Sequence, residues 1–174
     1  MSKLAIAITG PSGAGKSTVT DKIIRQREKC ARIDTDDIKQ FLFSAFRKDS
    51  QQDGSTLWTF EDWDTLGNST GILAKGFLDA GYDVIIDGHI DDTAWKLIEK
   101  HVTLTHKFLL LPHVDVTKAR DKERSGDTVM GDEAVTNSHN YFVTNYYYKD
   151  FVTLDTTDHS IDETVKTIQE QLDS

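Results

Sequence analysis

The chain has a single cysteine, Cys30, so no disulfide can form within it. That fits a reducing cytoplasm, and the thiol reads as a small buried residue at a strand start rather than a nucleophile. No apolar run approaches membrane-spanning length. Leu4 to Ile8 is too short for the core of a signal peptide, and a polar, glycine-rich loop follows at once. The six histidines lack metal-ligand spacing, which argues against a zinc site. Net positive charge is also missing. The formal balance is −9, and long nucleic acids are held by neutralising their phosphates, so such partners are disfavoured. A nucleotide needs only a local cationic pocket. There is no internal repeat, linker or low-complexity tract. With 174 residues, 37% hydrophobic and 28% charged, the composition predicts one soluble domain over residues 1–174, with enough chain for a core.

What is present begins with Gly10-Pro11-Ser12-Gly13-Ala14-Gly15-Lys16-Ser17, followed by Thr18. It fits G-x-x-x-x-G-K-[ST], which matches by chance in roughly 1% of chains this long at average composition. The residue types suit phosphate. Glycines let successive N–H groups turn toward phosphate oxygens, a lysine reaches the β- and γ-phosphates, and a hydroxyl ligates Mg²⁺. The context agrees: Leu4 to Thr9 reads as a buried strand, and Ser17 to Gln26 as a helix with Val19, Ile23 and Ile24 on one face.

Strand-like and helix-like segments then alternate. Ala31–Asp34, Asp83–Asp87, His106–Leu111 and Phe151–Asp155 read as further strands. Helices are expected over Asp36–Phe46, from Asp92 as cap through Glu99, over Asp115–Arg124, from Glu133 to about Tyr147, and after the capping box Ser160–Glu163. Trp63, Leu66, Thr70, Leu73 and Phe77 form one face of a long helix that ends at Gly81, with Gly67, Gly71 and Gly76 weakening it or allowing close packing. Trp58, Trp63 and Trp95 read as packing residues, and Tyr146 to Tyr148 as packing at a helix end. Short apolar strands separated by helices imply an α/β fold: a five-stranded parallel sheet covered on both faces. Ligands of such sheets sit at the carboxyl ends of the strands. Gly10, Asp34, Asp87, Pro112 and Asp155 should therefore share one rim.

Phosphoryl transfer to a hydroxyl calls for a carboxylate to orient the acceptor and oxygen ligands for magnesium. Asp36 is the acceptor-facing candidate, and Asp34 could hold Mg²⁺ through water. The competing reading makes Asp36 or Asp37 a helix cap. Asp87, closing a hydrophobic strand, is a second magnesium candidate, although an aspartate before glycine also starts turns. His89 is a candidate substrate contact or a plain loop residue. Arg120 and Arg124 lie one helical turn apart, beside a loop with two glycines, Gly126 and Gly131. They suit a lid, at about residues 125–133, closing over phosphates. A solvated charged face is the alternative.

Together these residues resemble the small P-loop kinases, which include shikimate and gluconate kinases, adenylylsulfate kinase, chloramphenicol phosphotransferase and polynucleotide 5′-kinases. Asp34-Thr35-Asp36 is similar to the D-x-D of shikimate kinases. Asp36 to Gln40 resembles the catalytic segment of phage-type polynucleotide kinase, with Lys39 where that family has Arg. Arg120-x-x-x-Arg124 resembles its lid arginines. The resemblance implies a three-layer P-loop NTPase fold with strand order 2-3-1-4-5, ATP as donor and Mg²⁺ as cofactor. It also implies Gly10, Ser12, Gly13, Ala14, Gly15, Lys16, Ser17, Thr18 and Arg120 at the nucleotide. Lys16, Asp36, Arg120 and Arg124 would be catalytic, Ser17, Asp34 and Asp87 would lie at the metal, and Asp36, Lys39, Asp87 and His89 at the acceptor. Where shikimate kinases carry a glycine-rich acceptor motif, this chain has Asp87-Gly88-His89-Ile90.

The expected activity is transfer of the γ-phosphoryl group of ATP to a small-molecule hydroxyl by a cytoplasmic enzyme. A nucleotide or polynucleotide 5′-hydroxyl kinase is the first alternative. A nucleotide switch is the second, on the strength of Asp64-Thr65-Leu66-Gly67. That D-x-x-G falls inside a helical pattern, and the guanine-reading N-K-x-D is missing.

Overall fold

The computed structural model describes residues 3–46, 60–123 and 129–173. Arg124, Trp58, the polar stretch 48–56 and residues 125–128 of the expected lid lie outside them. Strands β1 (Ala5–Thr9), β2 (Cys30–Asp34), β3 (Asp83–Gly88), β4 (His106–Leu110) and β5 (Val152–Leu154) form one sheet in the order β2-β3-β1-β4-β5. Every pairing is parallel. This is the expected P-loop NTPase architecture.

Strand alternation assigns the two faces. Ala5 and Ala7 of β1 enter one core, with Val84, Ile86, Trp95 and Ile98. Ile6 and Ile8 enter the other, with Val19, Ile23, Phe108 and Ile168. Helices α3 (Phe60–Asp79) and α4 (Asp92–His101) contribute to the first layer; α1 (Lys16–Ile24) and α7 (Ile161–Leu172) contribute to the second. The register aligns strand ends: Thr9 pairs with Gly88, and Asp34 with Asp87. The first three strands therefore finish on one rim.

Several local expectations shift. Leu73 is 43% exposed, whereas Ala74 is buried. The α3 face turns this way because Gly67 and Gly71 lie against α4: a Cβ on Gly67 would fall 2.6 Å from the Ala94 carbonyl oxygen. The close-packing reading of these glycines is the right one. Asp91, not Asp92, caps α4, accepting the Ala94 N–H at 2.7 Å. Helix α6 (Asp132–Thr144) stops before the tyrosines, and Asn145 caps a 3₁₀ turn over Tyr146–Asp150. Strand β5 is short, with three residues, and lies at a sheet edge, with Val152 43% exposed. The capping box at Ser160 and Glu163 is present.

Candidate active site

The glycine-rich loop runs from the end of β1 into α1. Gly13 and Gly15 take left-handed backbone, with φ of 80° and 89°. That conformation strains residues with a Cβ, and a Cβ on Gly13 would also come within 2.7 Å of the Thr117 carbonyl oxygen. Thr117 belongs to α5 (Val114–Lys122), so this helix supports the loop from beneath. The Lys16 ammonium donates to the carbonyls of Gly10 and Pro11, both at 2.9 Å. The amino end of α1, the positive pole of the helix, opens at Lys16 and the exposed Ser17.

On the same rim, α2 (Thr35–Phe46) starts directly after β2. Its cap is Asp34, whose Oδ1 accepts the Asp36 N–H at 2.9 Å. The capping role suggested for Asp36 or Asp37 therefore belongs to Asp34, and the Asp36 carboxylate points elsewhere. It accepts from Lys39 Nζ at 2.7 Å, and the same ammonium donates to the His89 carbonyl at 2.8 Å. Lys39 also lies over the Trp63 ring, 5.5 Å from its centroid. Its side chain is 13% exposed, against 65% for Asp36. Desolvation by the surrounding protein pushes the Asp36 carboxyl up, but Lys39, with help from Lys16 and His89, more than reverses this and holds it below its ordinary value.

Asp87 behaves differently from its sequence expectation. Both its oxygens accept from Arg32, Nε to Oδ1 at 2.8 Å and Nη2 to Oδ2 at 2.9 Å. Arg32 continues to Asp34 at 2.7 Å and to Asp21 of α1 at 2.9 Å. The Asp87 side chain is 1% exposed. Burial pushes its carboxyl up and Arg32 opposes that push. A carboxylate so enclosed and so fully paired is a poor partner for a solvated Mg²⁺, which keeps several of its waters. Ser17, exposed at the loop, and Asp34 fit such an ion better, and Asp34 would act through water because it also serves Arg32 and the α2 cap.

His89 lies just past β3. Its Nδ1 meets Ser138 Oγ at 3.3 Å. Its ring stacks beside Tyr141, with centroids 6.2 Å apart, and edge-on to Phe142 at 5.0 Å. Burial, then the cations Lys16 and Lys39, lower its pKa to about 3. The imidazole is therefore neutral at physiological pH. On the other side of the loop, Arg120 Nη1 reaches the Gly13 carbonyl at 3.4 Å. Beside it, buried Asp121 accepts the N–H groups of Met130 and Gly131 at 3.0 and 2.9 Å, fastening the segment before α6 to the end of α5.

This arrangement unites the phosphate loop, Asp34, Asp36, Asp87, Lys39 and His89 around one rim, and Lys16 acts electrostatically on Asp36, Asp87 and His89. A family model for an AAA domain matches residues 6–104, more than half of the 174-residue chain. The chain belongs to this AAA domain family. No curated relative matches the sequence. Among solved structures, the AAA domain described here is similar to a sugar kinase from Janibacter sp. HTCC2649. The TM-score is 0.76 and the identity 18%, over 98% of this chain and 95% of that one. It is similar to a tunicamycin resistance protein from Deinococcus radiodurans, with a TM-score of 0.70 and 18% identity, over 98% and 95% of the two chains. A shikimate kinase from Bacteroides thetaiotaomicron aligns with a TM-score of 0.66 and 16% identity, over 98% and 99%. The fold is that of the small P-loop kinases.

Arg32, Asp21, Ser138 and Tyr141 escaped the sequence reading, and Asp121, which the alternative of a solvated charged face included, is instead buried. Arg32 left a signal. In a strand, residues two apart share a face, so Arg32 lies with Asp34 and faces the helix that carries Asp21. Ser138 and Tyr141 left none, because only the packing of α6 over the rim brings them to His89.

Proposed function

We propose that this protein is an ATP-dependent kinase that transfers a phosphoryl group to a hydroxyl of a small molecule. The observation that carries the reading is the Asp36–Lys39 pair beside the phosphate loop. It is a carboxylate kept ionised within the electrostatic reach of Lys16. In the reaction the acceptor oxygen bonds to the γ-phosphorus and the bond to the β–γ bridging oxygen breaks. ADP leaves, and the hydroxyl proton passes to Asp36.

Backbone N–H groups of the loop, from Gly10 through Thr18, would cradle the phosphates. Lys16 and Arg120 would offset the charge that spreads over the transferred group, with Arg124 as a second lid arginine. Ser17, and Asp34 through water, would hold a magnesium ion, which would supply positive charge to offset that of the phosphates. Asp87 is assigned to the Arg32 pair, which fixes β2 against β3 and so sets where Asp34 and Asp36 emerge.

The switch reading loses its main support. Asp64 to Gly67 lies within α3, and Gly67 is packed on Ala94 rather than on the phosphate loop. No helix among the described residues is long and apolar enough to cross a membrane.

The test is a panel of hydroxyl compounds scored for acceptor-dependent ADP release with Mg-ATP. A positive acceptor, lost with Lys16→Ala together with nucleotide binding, is the expected result. ATP binding unchanged by Lys16→Ala would overturn the phosphate-loop assignment.

A further inference from the structure

The loop between β3 and α4 is gripped from one side by α6 and the 3₁₀ turn that follows it. Ser138, Tyr141 and Asn145 recur at spacings of three and four, so they share one face of α6 and its cap. Ser138 Oγ meets His89 Nδ1 at 3.3 Å. The Tyr141 hydroxyl accepts the Asp92 N–H at 3.0 Å and donates to Asp92 Oδ1 at 3.2 Å. Asn145 Nδ2 donates to the same oxygen at 3.2 Å. In the 3₁₀ turn, Tyr148 is 2% exposed and donates its hydroxyl to the Ile90 carbonyl at 2.6 Å. The helix is itself anchored, because His139 Nε2 donates to the Pro112 carbonyl just past β4 at 3.0 Å.

On its other side the loop faces α2. Gly88 packs so closely on Thr35, the first residue of α2, that a Cβ has no room there. The His89 carbonyl accepts from Lys39 at 2.8 Å, and the same ammonium holds the Asp36 carboxylate at 2.7 Å. Direct contacts therefore run from the tyrosines, through the loop backbone, to Lys39 and Asp36. A displaced loop would carry the His89 carbonyl away from Lys39 and leave Asp36 less firmly placed. Transfer to a hydroxyl is sensitive to such shifts, since a misplacement of about 1 Å costs on the order of 10²-fold in rate.

Resting on the kinase reading, we infer that Tyr141 and Tyr148 are positioning residues of the acceptor site. They fix the His89–Asp92 loop against α6, and through the His89 carbonyl they hold Lys39 and Asp36 where the acceptor hydroxyl is met. Tyr147 provides the contrast. It belongs to the same 3₁₀ turn, but its hydroxyl donates to Glu99 Oε2, toward the far end of α4, at 2.9 Å.

The experiment compares Tyr141→Phe, Tyr148→Phe and Tyr147→Phe in the full chain. Each variant loses one hydroxyl and keeps its ring. Amide hydrogen exchange, thermal unfolding, ATP affinity and steady-state kinetics with Mg-ATP and the best acceptor of the hydroxyl panel are measured on all three. In Tyr141→Phe and Tyr148→Phe the amides of residues 89–92 should exchange faster, and kcat at saturating acceptor should fall by about tenfold or more, with ATP affinity unchanged. Tyr147→Phe should keep the native kcat whatever it costs in thermal stability. Added to Lys39→Met, Tyr141→Phe should lower kcat by less than it does alone, since both act on Asp36. Should Tyr148→Phe fail to fold, Tyr141→Phe carries the test, because its hydroxyl belongs to a half-buried side chain. Native exchange of the loop or native kcat in Tyr141→Phe overturns the inference and leaves the kinase reading standing. So does an equal fall of kcat in Tyr147→Phe, or full additivity with Lys39→Met. Absence of acceptor-dependent ADP release by the native chain, with ATP bound, overturns the kinase reading itself and the positioning role with it.

Discussion

Arg32 meets Asp87 through two hydrogen bonds, at 2.8 and 2.9 Å, across the β2–β3 boundary. The pair joins the strand that presents Asp34 to the strand that ends at the His89 loop. Removing one partner leaves a buried charge. Arg32→Met should therefore destabilise the fold by about 3–5 kcal/mol, and the double variant Arg32→Met/Asp87→Leu should cost clearly less than the sum of the single changes. Denaturant unfolding of the four proteins in the cycle measures this. Additive effects would show that the pair has no coupling.

Two glycines of α3 should respond in opposite directions to the same substitution. Gly67→Ala drives a methyl to 2.6 Å from the Ala94 carbonyl oxygen, so a loss of about 1–3 kcal/mol is expected. Gly76 has nothing within 4 Å of an added Cβ. There alanine should stabilise the helix by about 0.5–1 kcal/mol. Thermal unfolding of both variants decides the matter.

The pH dependence follows from Asp36 and His89. The folded Asp36 carboxyl titrates below its ordinary 3.8, burial being outweighed by Lys39, Lys16 and His89. Its ionised form, and the stability from its pairing, are therefore present above 3.8 and are lost as pH falls through the depressed value. His89 titrates near 3, so it too stays in one state from weakly acid to neutral pH. The acid limb of kcat/KM should lie below 3.8 in the native enzyme. Lys39→Met should move that limb upward, because the upward push of burial then loses its largest opponent. A pH–rate profile of the two proteins is the check.

Arg120 lies on the donor side, with Nη1 at 3.4 Å from the Gly13 carbonyl. Arg120→Ala should lower kcat by roughly 10²–10³-fold, the scale expected when a group that stabilises transition-state charge is removed. Arg120→Lys should recover little, since a point charge does not reproduce the guanidinium fork. Steady-state kinetics with ATP and the best acceptor give both values.

The fold was legible because strand-like runs such as Ile6 to Ile8 and Ile85 to Ile86 carry a strong burial signal, and the phosphate loop joins a strand to a helix as its chemistry requires. The strand order followed from the family resemblance, not from any pattern in the residues. Side-chain partnerships were less legible. The Asp87 and Arg32 positions stand 55 residues apart, and only the β2–β3 register brings them together. The partly exposed Leu73 shows the same limit, because helical spacing alone did not reveal that Gly67 and Gly71 turn the face toward Ala74. Asp34 as the α2 cap was within reach of local rules but was hidden by two further acidic residues, Asp36 and Asp37, immediately downstream.

The central claim is that Asp36 orients an acceptor hydroxyl and takes its proton. Single-turnover phosphoryl transfer by Asp36→Ala, with folding and ATP affinity verified, tests it most directly. The account predicts transfer slowed by about 10²–10⁴-fold with ATP affinity unchanged. Transfer at the native rate in that variant would contradict it.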